Sequence, residues 1–387
     1  MRLRTPQFDM CFVAPNAYPA LSGKNESRHI GGAEVQQTHI ARELARRGRR
    51  IAFITHNHGQ RDGEEIDGIH VFFMCSRSQG LPGLRFIKPR WTSLCAAMNR
   101  ANAAVYYQRT GGVETGQVAM WCRWHGRPMI AALANDRDCF KSLRCRLNRR
   151  ERWLQGYGLR RADVVVAQTA AQVEALQKHF GVNARIIRSC AADRQCVSDA
   201  ADLSDRLSRR RIVWAARFTR AKRLDWLLQV AQRCPDVQFN VLGGDLADAE
   251  RYCRSLDTAA EYPMPPNVKF NGVQSRELVQ TFLDEAAALL CTSEVEGFPN
   301  TFLEAWSGGL PVVSTFDPDG VIKTEALGAV ASGVDQLSRE IQRLLTDESY
   351  WRQCSSNARR HFEQHHTICA VGDAYESLLD ELVALPA

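Results

Sequence analysis

Two glutamates, two cations and a few glycines carry most of the chemistry legible in this sequence. Glu296 and Glu304 stand eight residues apart in Ser293-Glu294-Val295-Glu296-Gly297-Phe298-Pro299-Asn300-Thr301-Phe302-Leu303-Glu304. The stretch follows the apolar run Ala287 to Thr292, and Pro299 suits a first helical turn. Glu296 then lies in the turn before a helix and Glu304 projects from about its second turn. Two such acidic acceptors can grip different hydroxyls of one long ligand. Gly297 permits close backbone approach, and the amides at the helix start form an anion site for a phosphate or a polarised hydroxyl. Taken alone, the pair reads more simply as an acidic loop and a solvated helical glutamate.

Arg217 and Lys222 are five residues apart, after the apolar run Arg211 to Ala216. Two cations at a strand's carboxyl end can neutralise a diphosphate, arginine as a fork and lysine as a point charge. Preorganised positive charge there would stabilise a departing diphosphate. In isolation, ordinary surface basics explain the pair equally well. Gly31-Gly32-Ala33-Glu34 closes a long loop and opens a helix, where glycines let amides approach an anion. Gly243-Gly244 ends a further strand.

These residues need positioning elements, and the hydrophobic pattern supplies them as alternating strands and helices. The first series predicts strands at Phe8–Ala14, Arg50–Thr55, His70–Met74, Ala103–Tyr107, Pro128–Ala134, Val164–Ala167 and Ala184–Ile187, with a helix over Ala33–Arg47. From Ser189 to Ser208 small polar residues dominate, which reads as a linker. The second series has strands at Arg211–Ala216, Val237–Gly243, Val268–Asn271, Ala287–Thr292 and Pro311–Thr315, and helices at Leu224–Arg233, Arg276–Leu283 and Thr301–Ser307. Helices at Gln336–Leu345, Glu348–Glu363 and Val371–Leu385 follow. The expected domains are 1–195 and 209–365, with 366–387 a C-terminal helix packing back on the first.

Composition excludes several classes. The chain has 387 residues, enough for two domains, with 45% hydrophobic and 24% charged residues, ordinary values for a globular protein. No apolar run approaches the ~20 residues of a spanning helix, and Arg2, Arg4 and Asp9 interrupt any secretory signal, so a cytoplasmic protein is expected. The 13 cysteines never form Cys-x-x-Cys, so they read as small buried residues rather than a zinc site or redox pair. The net charge of +7 rests mostly on arginine, suited to phosphates and anionic surfaces. Its densest cluster, Arg144 to Arg161, interleaves Leu147, Trp153, Leu154, Tyr157 and Leu159, a pattern that fits an anionic membrane face or a solvated helix. Nothing resembles a nucleic-acid module.

The block Glu296-Gly-Phe-Pro-Asn-Thr-Phe-Leu-Glu304-Ala-Trp-Ser-Gly-Gly-Leu-Pro-Val-Val resembles the Glu-x7-Glu signature of retaining glycosyltransferase family four. The resemblance implies an α/β protein of the GT-B fold, two Rossmann-like parallel-sheet domains facing across a cleft. It implies that Glu296 holds hydroxyls of the donor sugar and Glu304 the ribose. The amides after Glu296 approach the sugar and phosphates; Pro299 has none, leaving Gly297, Phe298, Asn300 and Thr301 as donors. The family's Arg-x4-Lys pair falls on Arg217 and Lys222, leaving Arg220 and Arg223 without an assigned role. Its glycine loop falls on Gly31 and Gly32, with His29 just before, and the backbone reading the base follows Gly272, at Val273. Asp317 to Val321 falls near the diphosphate.

One feature departs from the family. Many members carry a histidine after a first-half strand, whereas here Asn135-Asp136-Arg137-Asp138 follows, so Asp136, or Asn135, is expected in its place. Tyr106 to Gly112 could line the acceptor side or be a plain loop.

The resemblance thus implies transfer of a sugar from a nucleoside diphosphate sugar to an acceptor hydroxyl with retention, the leaving phosphate helping to take the proton. No cofactor is expected and no metal, since no Asp-x-Asp pair is noted near the nucleotide-like site. The partners are the nucleotide sugar and a glycan or lipid-linked acceptor, in polysaccharide or glycolipid assembly, with peripheral contact at the inner membrane face. The alternatives are a non-catalytic nucleotide-sugar binding or scaffold protein, or another GT-B enzyme such as a nucleotide-sugar epimerase or a phosphorylase.

Overall fold

The computed structural model describes residues 5–23, 31–81, 86–140, 148–194, 200–256 and 264–384. They fall into two compact units, Met1–Cys190 with Ile368–Ala387, and Ala191–Thr367. In each unit short apolar runs form a sheet covered by helices on both faces, the burial a parallel sheet requires.

The first unit has strands β1 (Phe8–Val13), β2 (Ile51–His56), β3 (Glu64–Ile66), β4 (Ile69–Met74), β5 (Ala103–Arg109), β6 (Met129–Ala132), β7 (Val164–Ala167) and β8 (Arg185–Ile186). Their spatial order is β3-β4-β2-β1-β5-β6-β7-β8, parallel except for β3 against β4. Successive β1 side chains take opposite faces: Met10 and Phe12 join Ile51 and Phe53 in one apolar cluster, Cys11 and Val13 join Ala52 and Ile54 in the other. The C-terminal helix Ile368–Ala384 belongs to this unit, adding Val371, Tyr375, Leu378, Leu379 and Leu382 to the Met10 cluster. Arg47 and Arg49 clamp it through Asp373, Glu376 and Asp380, at 2.5 to 3.0 Å.

The second unit has β9 (Arg211–Ala215), β10 (Gln238–Leu242), β11 (Val268–Phe270), β12 (Ala288–Cys291), β13 (Val312–Ser314) and β14 (Gly328–Val330). All run parallel in the order β11-β10-β9-β12-β13-β14. The winding reverses between β9 and β12, and at such a switch point the loops beyond the carboxyl ends diverge and leave a crevice.

The predicted helix Leu224–Arg233 is observed with those limits, and the helix expected at Thr301–Ser307 begins one residue earlier, at Asn300. The expected linker is corrected: residues 200–209 form a helix, Ala200–Arg209. Its composition of Ala, Asp, Ser and Arg reads as a loop only because polar residues also suit a helix's solvent side. The antiparallel β3 and the terminal β14 escaped the sequence reading. Eight of the eleven described cysteines are buried and all eleven are free thiols. His29 and part of the basic cluster, including Arg144 and Arg146, lie outside the described residues.

Candidate active site

Lys222 and Glu296 meet at the switch point of the second sheet. Lys222 ends a short turn, Arg220–Lys222, between β9 and the helix Leu224–Arg233, while Glu296 lies in the loop leaving β12. The ammonium donates to the carboxylate, with 25% and 11% of the two side chains exposed. A hydroxyl relay holds the lysine backbone: the buried Trp214 indole donates to Thr292 Oγ1 (2.9 Å), which donates to the Lys222 carbonyl (2.7 Å). The Glu294 amide donates to the Ala221 carbonyl at 2.9 Å, so the loops after β9 and β12 are tied at two points. Thr315 secures the far side, donating from its hydroxyl to the Ser293 carbonyl at 2.9 Å.

Arg217 is exposed just beyond β9, and its side chain makes no ion pair among the described residues. Arg223 is engaged in the fold: it pairs with Asp225 (2.9 Å) and Glu294 (2.8 Å) and lies over the Trp226 ring. Arg220 donates to the Ser255 carbonyl at 2.6 Å.

The helix Asn300–Ser307 opens at Pro299 with no side-chain cap. Gly297, Phe298 and Pro299 are buried, Asn300 and Thr301 half-buried. The Phe298 ring packs on Trp306 and His366, so this residue can offer a ligand only its backbone. Glu304 is 15% exposed at its side chain and pairs with Arg276 at 2.8 Å. Arg194 donates to the Glu304 carbonyl at 3.2 Å and pairs with Asp284; burial holds its guanidinium below the usual arginine range. Neither arginine stood out in the sequence, because each reaches Glu304 from a distant segment and no local spacing signals it.

Gly243 has φ +119°, and a Cβ there would strike the Ala216 carbonyl oxygen, so glycine is required by the approach of the β9 and β10 loops. Gly244 and Gly272 form a backbone bridge beside it, and Val273 is 47% exposed at the same edge. An Asp-x-Asp pair does follow β13, Asp317-Pro318-Asp319, correcting the sequence reading. Asp317 accepts from the amides of Ile322 (2.8 Å) and Lys323 (3.3 Å), and burial raises its carboxyl above the usual range. That cap puts the Asp317 carboxylate in the fold's service, and its negative charge weighs against a phosphate contact.

In the first unit, Gly31 caps the helix Gly32–Arg46 and the Glu34 carboxylate folds back beside it. Asp136 follows β6 and accepts from Gln172 Nε2 at 2.9 Å. Asp138 caps the Ala134 and Asn135 amides at 2.9 and 3.0 Å, and burial raises its carboxyl. Arg109, at the end of β5, is buried and donates to Ser189, which donates to Gln168 at 2.7 Å. The structure therefore brings Glu296 and Lys222 together and gathers Arg217, Gly243, Val273, Gly297, Phe298, Asn300, Thr301 and Glu304 along one sheet edge. Gly31, Gly32 and Asp136 stand at the corresponding edge of the first unit.

Residues 209–347 match the profile described as "Glycosyl transferases group 1", and residues 31–189 that described as "Glycosyl transferase 4-like domain". No curated protein matches the sequence. Sucrose-phosphate synthase of Thermosynechococcus elongatus is similar in fold, with a TM-score of 0.79 at 18% identity over 98% of this chain and 100% of that one. HepE from Anabaena, solved with UDP and glucose, gives 0.72 at 17% identity over 97% and 100%. A glycosyltransferase from Rickettsia africae gives 0.70 at 12% over 97% and 99%. These likenesses carry the GT-B fold. With two parallel α/β units and matches to both domains, the chain belongs to the group 1 glycosyltransferases.

Proposed function

We propose that this glycosyltransferase moves a hexose from a nucleoside diphosphate sugar to a hydroxyl of a glycan or lipid-linked acceptor, with retention at the anomeric carbon and without a metal ion. The observation that carries the reading is the Lys222–Glu296 pair at the switch point between β9 and β12. It puts a cation and a hydroxyl acceptor side by side, as a diphosphate bonded to a sugar demands. Lys222 and the exposed Arg217 neutralise the charge that develops on the leaving diphosphate, helped by amides at the start of the helix Asn300–Ser307. Glu296 orients the sugar, Glu304 takes the ribose hydroxyls, and the backbone near Val273 meets the base. Asp136 stands on the acceptor side. HepE, a neighbour in fold, is described with UDP and glucose, which makes a uridine donor the first to try. Polysaccharide or glycolipid assembly at the inner membrane face fits such an acceptor, and no described helix is long and apolar enough to cross a membrane.

The test is turnover of UDP-, GDP- and ADP-sugars in excess chelator, with the product's anomeric configuration read by proton NMR. Retention with chelator present supports the reading, and inversion or strict metal dependence contradicts it. Donor binding without transfer to any acceptor or water would instead indicate a nucleotide-sugar binding protein.

A further inference from the structure

A strip of aromatic and basic side chains crosses three elements of the first unit and takes no part in the site above. Trp124, 68% exposed at the end of the helix Val113–His125, stacks on Trp91 with ring planes 10° apart. Trp91 closes the segment Phe86–Trp91, and its ring lies 6.4 Å from Phe86. The Arg150 guanidinium sits 3.9 Å over the Phe86 ring. Arg150 begins the helix Arg149–Arg161, where Trp153, one turn on and 58% exposed, stacks with Tyr157. Ile87, in the same segment as Phe86 and Trp91, is 58% exposed.

The strip is preorganised. A Cβ on Gly116 would strike the Leu154 carbonyl and one on Gly158 the Thr115 carbonyl, so the two helices touch backbone to backbone and present Trp124 and Trp153 from a fixed frame. Its cations, Lys88, Arg123, Arg149, Arg150, Arg160 and Arg161, pair with no carboxylate among the described residues, as also holds for Arg61, Arg77, Arg137 and Lys178 of the unit. Arg42, Arg46, Arg47, Arg49, Arg50 and Arg100 of the same unit each pair with a carboxylate.

We propose that this strip docks the protein on an anionic lipid bilayer, the Trp and aliphatic side chains entering the headgroup boundary and the guanidinium groups meeting lipid phosphates. Tryptophan favours that boundary, and arginine carries its charge to the lipid phosphates while its stem stays on apolar surface. A soluble polyanion would use the cations and leave Ile87, Trp124 and Trp153 in water, so charge and apolar exposure together select the bilayer. The proposal rests on the reading of peripheral membrane association and is independent of the donor site.

The test is flotation of the full chain with vesicles of phosphatidylglycerol and phosphatidylcholine, against phosphatidylcholine alone. The wild type is expected to float with the anionic vesicles, W124S/W153S to lose about tenfold in partitioning, and R149Q/R150Q a similar factor. A wild type that stays in the soluble fraction overturns both the strip and the peripheral reading. A wild type that floats while W124S/W153S floats equally well keeps the peripheral reading and overturns the strip in favour of charge alone. Quenching of wild-type tryptophan fluorescence by brominated lipids gives a second readout free of any variant, and its absence also overturns the proposal. Donor-induced stabilisation is expected to be unchanged in W124S/W153S.

Discussion

Lys222 and Glu296, separated by 74 residues, form an ion pair at the carboxyl edge of the second sheet, where β9 and β12 lie side by side. Each side chain thereby fixes the other where the proposal needs both. Lys222→Met is expected to cut transfer by about a hundredfold, the scale on which removing one preorganised charge acts. Glu296→Gln keeps a hydroxyl acceptor but frees the lysine, so a smaller loss should follow, mainly in kcat. Steady-state rates on the working donor decide it; equal rates in both variants and the wild type would remove the pair from the mechanism.

The Trp214–Thr292–Lys222 relay leads to a separate expectation. Thr292→Val strands the buried indole N–H and should cost about 1–3 kcal/mol of stability, measured by urea unfolding. Transfer should fall less than in Lys222→Met, since the ammonium itself remains. A variant as stable as the wild type would show that the relay contributes nothing.

Glu304 is braced by Arg276, and removing either should act on donor affinity. Glu304→Ala and Arg276→Ala are both expected to raise the KM for the nucleotide sugar with kcat little changed, the first more than the second. A loss confined to kcat in Glu304→Ala would argue against a ribose contact.

At Gly243 the argument is steric. Gly243→Ala places a methyl against the Ala216 carbonyl at a positive φ, so a loss of about 1–3 kcal/mol is expected. Calorimetric unfolding checks this, and an unchanged midpoint would mean that the β9 and β10 loops part easily.

The C-terminal helix gives the pH dependence. Hydrogen bonds from Arg49 and Arg47 hold the Glu376 carboxyl below the usual range, and those from Arg46 and Arg47 do so for Glu43. A carboxyl whose folded pKa is depressed stabilises above its unfolded value, about 4.3, and that contribution fades as pH falls towards the folded value. Urea midpoints should therefore drop between about pH 5 and pH 3, and less in Glu376→Gln. The same drop in both proteins would place the acid sensitivity elsewhere.

Much of this arrangement was legible in the sequence. Continuous apolar runs such as Ala288–Cys291 announce buried parallel strands, and Glu296, Gly297 and Glu304 are close enough along the chain for their spacing to be read. Partners set by sheet order were not legible. The relay from Trp214 to Thr292, the bracing of Glu304 by Arg276 and the docking of Tyr375 beside Tyr107 (3.3 Å between hydroxyls) all join segments remote in sequence. Local pattern also misjudged residues 200–209, where small polar side chains look like a linker yet form a helix.

The most direct test of the donor site is a thermal-shift series with UDP-, GDP- and ADP-sugars on the wild type and Glu304→Ala, because a ligand that binds only the folded state raises its stability. A shift selective for one nucleotide in the wild type and lost in Glu304→Ala is the expected result. A shift retained in full by Glu304→Ala, or none with any donor, would contradict the placement of the nucleotide sugar at the β9–β12 edge.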